Sequence, residues 1–146
     1  RRSSDLMNPS RGWEIFPRII YDMAMRIKND YRNIDWFVAE SGMGVENEVQ
    51  YRNRDGVIDD TYRITFISEH LYYTLLAREA GANCHGYMLW AFTDNVSPMN
   101  AFKNRYGLIE IDLENQRARR AKKSASWFRQ LRDERVLTLR VDDEWK

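Results

Sequence analysis

Apolar residues recur at helical spacing soon after the start of the chain. Ile20, Met23, Ile27 and Tyr31 fall on one face, and Pro17 stands where a first turn would begin. The period predicts an amphipathic helix over about residues 17–31. Upstream, Arg1 to Gly12 is polar and reads as loop. Trp36-Phe37-Val38-Ala39 is a continuous apolar run, entered from Asn33 and Asp35 and closed by Ser41-Gly42. So short a run between turn residues predicts a buried strand. Residues 43–56 are polar and glycine-containing, and read as a long loop of the kind that often carries function. Asp59 or Asp60 can cap a second helix, with Ile64, Ile67, Leu71 and Leu75 as its buried stripe and Gly81 as its left-handed end. Tyr87 to Phe92 is a second apolar strand, and Thr93 to Asn104 a loop. Residues 106–112 alternate enough for a short strand. Ser124 precedes a third helix bearing Trp127, Phe128 and Leu131. The tail holds Val136, Leu137, Leu139 and Val141 and reads as a strand or a frayed end.

Apolar strands alternating with amphipathic helices indicate parallel α/β architecture. In a parallel barrel, reacting residues sit where strands end. Glu40 ends the first strand, and Asp94-Asn95 follow the second.

Composition narrows the class. The chain has 146 residues, 43% hydrophobic and 31% charged, enough for one ordinary globular domain. Lys+Arg number 23 against 22 Asp+Glu, so no broad electrostatic attraction to nucleic acid or anionic membrane is expected. No apolar run approaches the roughly 20 residues of a membrane span. The lone Cys84 beside six methionines fits a reducing compartment. No leader peptide is visible, and a start at Arg1-Arg2 without Met is that expected of a piece or a processed form. His70, His85 and Cys84 lack metal-ligand spacing, so neither metal nor cofactor is expected. Residues 117–123 form a basic run that reads as a solvated face, and Met23, Met25, Met88 and Met99 read as packing. Aromatics reach 13% with five Trp, which suits sugar stacking and a large core equally.

Several segments carry a family likeness. Val38-Ala39-Glu40-Ser41-Gly42 resembles the nucleophile motif of glycoside hydrolase family 1. Gly86 to Asn95 resembles that family's last barrel strand. Arg105-Tyr106-Gly107-Leu108-Ile109, then Lys122-Lys123-Ser124-Ala125 and Trp127-Phe128, resemble its closing segment. Gly12-Trp13-Glu14-Ile15 and Pro17 resemble the run before its sixth barrel helix.

The resemblance implies a (β/α)8 TIM barrel, of which residues 1–146 would be the C-terminal portion of one catalytic domain, about the last two βα units, strands 7 and 8. It implies a retaining β-glycosidase with Glu40 as nucleophile and Trp90 as the platform under the sugar. Ser97 and Tyr106 match the pattern of enzymes acting on 6-phosphorylated sugars. The pattern's Lys falls at Asn104, with Lys103 its neighbour, so Lys103 is the expected third phosphate contact. The substrate would be a phosphorylated disaccharide or aryl glycoside, gluco slightly favoured because Pro98 stands where galacto enzymes often carry Trp. The implied compartment is the cytoplasm. Ser41 and Ala39 depart from the family's usual Asn and Thr. The family's acid/base Glu, in an upstream Asn-Glu-Pro motif, has no counterpart, because Asn47-Glu48 is followed by Val49. The remainder of the barrel is therefore an expected partner, and the chain alone is expected to be inactive. The alternatives are a β-glucosidase for unphosphorylated sugars and a non-catalytic partial barrel.

Overall fold

A computed structural model of the chain describes residues 7–139. The two longest apolar runs pair in parallel. Strand β3 (Trp36–Ser41) lies beside β5 (Cys84–Leu89), with Trp36 opposite Cys84, Val38 opposite Tyr87 and Ser41 opposite Leu89, and register shifts between these pairs. Helix α2 (Thr61–Glu79) connects them, making a β-α-β unit, and α1 (Ile19–Asp30) packs on α2. The parallel α/β class is thus present. A parallel pair needs a crossover of a dozen or more residues, and α2 supplies it.

The short elements complete the frame. β1 (Met7–Asn8) pairs with β2 (Trp13–Glu14), and β4 (Val45–Glu46) with β6 (Asn104–Arg105). β7 (Ile109–Asp112) and β8 (Ala118–Ala121) form an antiparallel hairpin before α3 (Lys123–Glu134). Residues 43–56 are therefore not wholly loop: they hold β4 and a 3-10 turn, Glu48–Tyr51. The strand expected from Tyr106 begins at Ile109, and β8 has no signal in the sequence, since Ala-Arg-Arg-Ala has no strand-like alternation. From residue 135 to 139 there is neither helix nor strand, and Val141 lies outside the described residues.

One core cluster joins Ile15, Met43, Val45, Phe66, Ile67 and Leu108, sealed by Leu89 and Trp127. A second joins Ala24, Ala77 and Ala82. Small residues there let α1 and α2 approach closely, so α1 centres its buried face on Ala24 while Met23 and Tyr31 stay exposed. On α2, Ile64 and Ile67 are buried as expected, but Leu75 is exposed and Arg63, Ser68, His70 and Thr74 are buried instead. Their polar atoms find partners: Ser68 Oγ donates to the Ile64 carbonyl at 2.6 Å and Thr74 Oγ1 to that of His70 at 2.8 Å. Gly81, at φ +86, turns the chain out of α2. The strands are less buried than their composition implies. Phe37 is 55% and Met88 53% exposed, because β3 and β5 pair only with each other among the described residues.

Candidate active site

The carboxyl ends of β3 and β5 open onto a cleft of about 490 Å³ lined by Glu40, Ser41, Gly42, Trp90 and Tyr106, among others. Glu40 is the penultimate residue of β3 and is exposed to the cleft. Trp90 follows β5 directly, its N–H donating to the Ser41 carbonyl at 2.9 Å, so the two strand ends are tied together. Gly42 is required by this approach: a Cβ there would lie 1.7 Å from the Trp90 carbonyl oxygen. Gly44 makes room in the same way for the Tyr106 ring, 2.4 Å from where its Cβ would be.

Ser97 sits at the base of a tight turn, exchanging backbone hydrogen bonds with Ala101 at 2.9 and 2.8 Å. Its Oγ accepts the Met99 N–H at 3.2 Å, which leaves the hydroxyl proton to donate. Glu40, Trp90, Ser97 and Tyr106 therefore share one cleft. Lys103 does not line it: its side chain is 64% exposed and its Nζ stands 3.1 Å from Glu46. Asn104, at the position beside it, is buried and accepts from Arg11 Nη1 at 3.3 Å.

Trp13 and Phe66 also line the cleft, with no role there legible in the sequence, and so does Asn95, which the sequence places just past the second strand. Trp13 arrives through contacts distant in sequence. Asn8 Nδ2 donates to the Gly44 carbonyl at 2.9 Å, and Ser10 Oγ accepts the Glu46 N–H at 3.1 Å, fastening the first segment beside the cleft. No local pattern announces such tertiary bonds.

Beneath the cleft lies a buried charge network. Arg63 bonds Glu48, reaches Asp60 at 3.0 Å, and donates to the carbonyls of Met43 at 2.5 Å and Tyr106 at 3.2 Å. Lys122 bonds Glu48 and Asp94, the latter at 2.9 Å. Asp94 in turn accepts the Gly107 N–H at 2.9 Å and the Ile111 N–H at 3.3 Å. Asp60 accepts the Ser124 N–H at 2.8 Å and hydroxyl at 2.6 Å. The basic run 117–123 is therefore not uniformly solvated: Lys122 is 1% exposed, held inside by two carboxylates. Asp94, though it follows a strand, is a buried strut rather than a cleft residue. Burial alone would lower the Arg63 pKa, but Glu48 and Asp60 reverse this and raise it. Burial, with Glu48 adding and Arg63 opposing, raises the Tyr62 phenol. The Tyr87 phenol is pushed up to about 12 by burial, and His70 is pushed down to about 4 by the same cause.

Among the described residues, no group of three or more His, Cys, Asp or Glu could hold a metal ion, and no helix is long and apolar enough to cross a membrane.

Residues 2–136 match the model of Glycosyl hydrolase family 1. The chain is 48% identical over 125 residues to the 6-phospho-beta-glucosidase GmuD of Bacillus subtilis (strain 168), covering 86% of this chain and 27% of that protein. It is 41% identical over 126 residues to a 6-phospho-beta-galactosidase of Clostridium acetobutylicum, covering 86% and 26%. Among solved structures, the Family 1 b-glucosidase from Thermotoga maritima superposes with a TM-score of 0.83 at 26% identity, over 92% of this chain and 29% of that one. The chain thus spans about a quarter of the length of the curated relatives it matches.

Proposed function

The chain belongs to glycosyl hydrolase family 1, and from that premise we propose that it supplies the nucleophile side of a retaining β-glycosidase acting on 6-phospho-β-glycosides. The observation that carries this reading is the common cleft of Glu40, Trp90, Ser97 and Tyr106 at the carboxyl ends of two parallel strands. The strands correspond on this reading to the seventh and eighth of a TIM barrel, and the chain to the C-terminal portion of one catalytic domain. A site of action in the cytoplasm follows from sugars phosphorylated on import.

A retaining mechanism needs two carboxyl groups about 5–5.5 Å apart. Glu40 takes the first role. Its carboxylate oxygen bonds to the anomeric carbon as the glycosidic C–O bond breaks, and the leaving oxygen takes a proton from an acid carried outside these residues. That group then removes a proton from water, which attacks the same carbon and releases Glu40. Trp90 offers its ring to the apolar face of the sugar, and the backbone bond from its N–H to the Ser41 carbonyl holds it beside the end of β3. The Ser97 hydroxyl and Tyr106 phenol are donors for phosphate oxygens. The names of the relatives at 48% and 41% identity support a phosphorylated glycoside over a neutral one. The glucoside is favoured slightly by Pro98.

The test is made on the full-length protein that carries this chain. Glu40→Ala should lower turnover of an activated aryl glycoside by about 10⁴-fold or more, since the covalent step is lost. Azide should restore turnover and give the α-glycosyl azide, because the small anion fits the space left by the carboxylate. A structural glutamate would instead lose stability and gain nothing from azide.

A further inference from the structure

A phosphate dianion is best held by a cation, and the cations around this cleft differ in what already occupies them. Arg63 and Lys122 are buried against carboxylates. Arg105 donates to the Ile111 carbonyl at 3.2 Å, stands 3.7 Å from Asp94, and lies over the Phe102 ring. Lys103 is paired with Glu46.

Arg11 is different. Its guanidinium carbon lies 4.3 Å over the ring of Trp13, which walls the cleft. Its Nη1 donates to Asn104 Oδ1, and it has no carboxylate partner among the described residues. Two N–H groups of this pair, Arg11 Nε and Asn104 Nδ2, are buried without an acceptor, and Asn100 Oδ1 is buried without a donor. Buried donors left open are uncommon, because each forfeits its bonds to water. An acceptor with several oxygens answers both.

We propose that Arg11, oriented by Asn104, is the cation that recognises the substrate's 6-phosphate in this protein. The assignment rests on the phosphate reading above and names a residue of the first segment rather than of the loop after β5. Asn104 also accepts from Asn100 Nδ2, within the turn closed by Ser97 and Ala101, so the guanidinium's amide partner is tied to the Ser97 turn. Neither Arg11 nor Lys103 lines the cleft itself. What separates them is that Lys103 is already paired with a carboxylate, whereas Arg11, among the described residues, is held only by a neutral amide and a ring, which leave its charge uncompensated. A guanidinium also presents parallel N–H groups to two phosphate oxygens at once.

The experiment compares kcat/KM for p-nitrophenyl β-D-glucoside 6-phosphate with that for the unphosphorylated compound, in the full-length protein. The ratio within one protein cancels any general loss of activity. Arg11→Gln should lower the ratio by about ten-fold or more, the worth of one charged hydrogen bond. Arg11→Lys, which keeps the charge but not the fork, should fall between. Arg11→Met, whose stem keeps the packing on Trp13, gives the same answer if Arg11→Gln folds poorly. Lys103→Met is the comparison. A wild-type ratio near one sinks the phosphate reading and this assignment with it. A wild-type preference kept in both neutral Arg11 variants, or lost more in Lys103→Met, overturns the role of Arg11 alone.

Discussion

His70 shows how much one buried side chain can decide. It sits on the inner face of α2 with Nδ1 2.7 Å from the Phe66 carbonyl, and burial holds its pKa near 4. The neutral ring is therefore the folded form at pH 7, with the proton on Nδ1 as donor. The unfolded chain titrates near the ordinary 6.5, so between about pH 6.5 and pH 4 the unfolded state binds more protons. Stability should be constant above that window and fall as pH drops through it, by on the order of 3 kcal/mol in all. Thermal unfolding of the intact protein from pH 7.5 to 4.0 measures this. His70→Gln, which does not titrate there, should show a visibly shallower decline. An equal decline in both proteins would assign it to carboxylates elsewhere.

At the scale of elements, the cleft depends on a few buried charges that bind four segments together. Arg63 on α2 holds the Met43 and Tyr106 carbonyls, and so fixes the stretch after β3 against the stretch after β6. Lys122, just ahead of α3, joins Glu48 of the 3-10 turn to Asp94 beyond β5. Removing one cation leaves its carboxylates buried and undercompensated, which typically costs about 3–5 kcal/mol. Arg63→Met and Lys122→Met should each lower the unfolding free energy measured in urea by that order. Lys122→Met combined with Glu48→Gln should cost less than the two single changes added, because both act on one network. Strict additivity would show that Glu48 and Lys122 do not depend on each other. Two residues of this network look ordinary in the sequence, Lys122 as part of a solvated run and Glu48 as a loop residue. A charged side chain looks solvated until its partners are known, and here they lie 74 and 28 positions from Lys122.

At the scale of the whole molecule, the β3–β5 pair, among the described residues, presents open edges and uncovered apolar side chains, Phe37 and Met88 among them. Unpaired edges and apolar patches of this kind drive association. Residues 1–146 produced alone should therefore associate or aggregate and bind a dye that reports apolar surface. A sharp monomeric peak by light scattering, with cooperative unfolding, would contradict this. The same preparation should show no measurable hydrolysis of phosphorylated aryl glucoside even at high concentration, because on the proposed reading it carries the nucleophile Glu40 without an acid/base partner. Turnover that Glu40→Ala abolishes would mean that the second carboxyl group lies within these residues.

The sequence by itself determined the alternation of helix and strand, the parallel class, and the strand ends where Glu40 and Trp90 stand. These follow from short-range patterns: apolar runs too short for helices, a helical period between them, and glycine where the chain must turn. It also carried the family, because the motifs are contiguous. Tertiary structure alone decided that Phe66 and Trp13 join the cleft wall, that Lys103 turns to Glu46 while Arg11 meets Asn104, and that Lys122 goes inside. Those outcomes depend on pairs far apart along the chain, whose energy comes from burial and from partners that no local window contains.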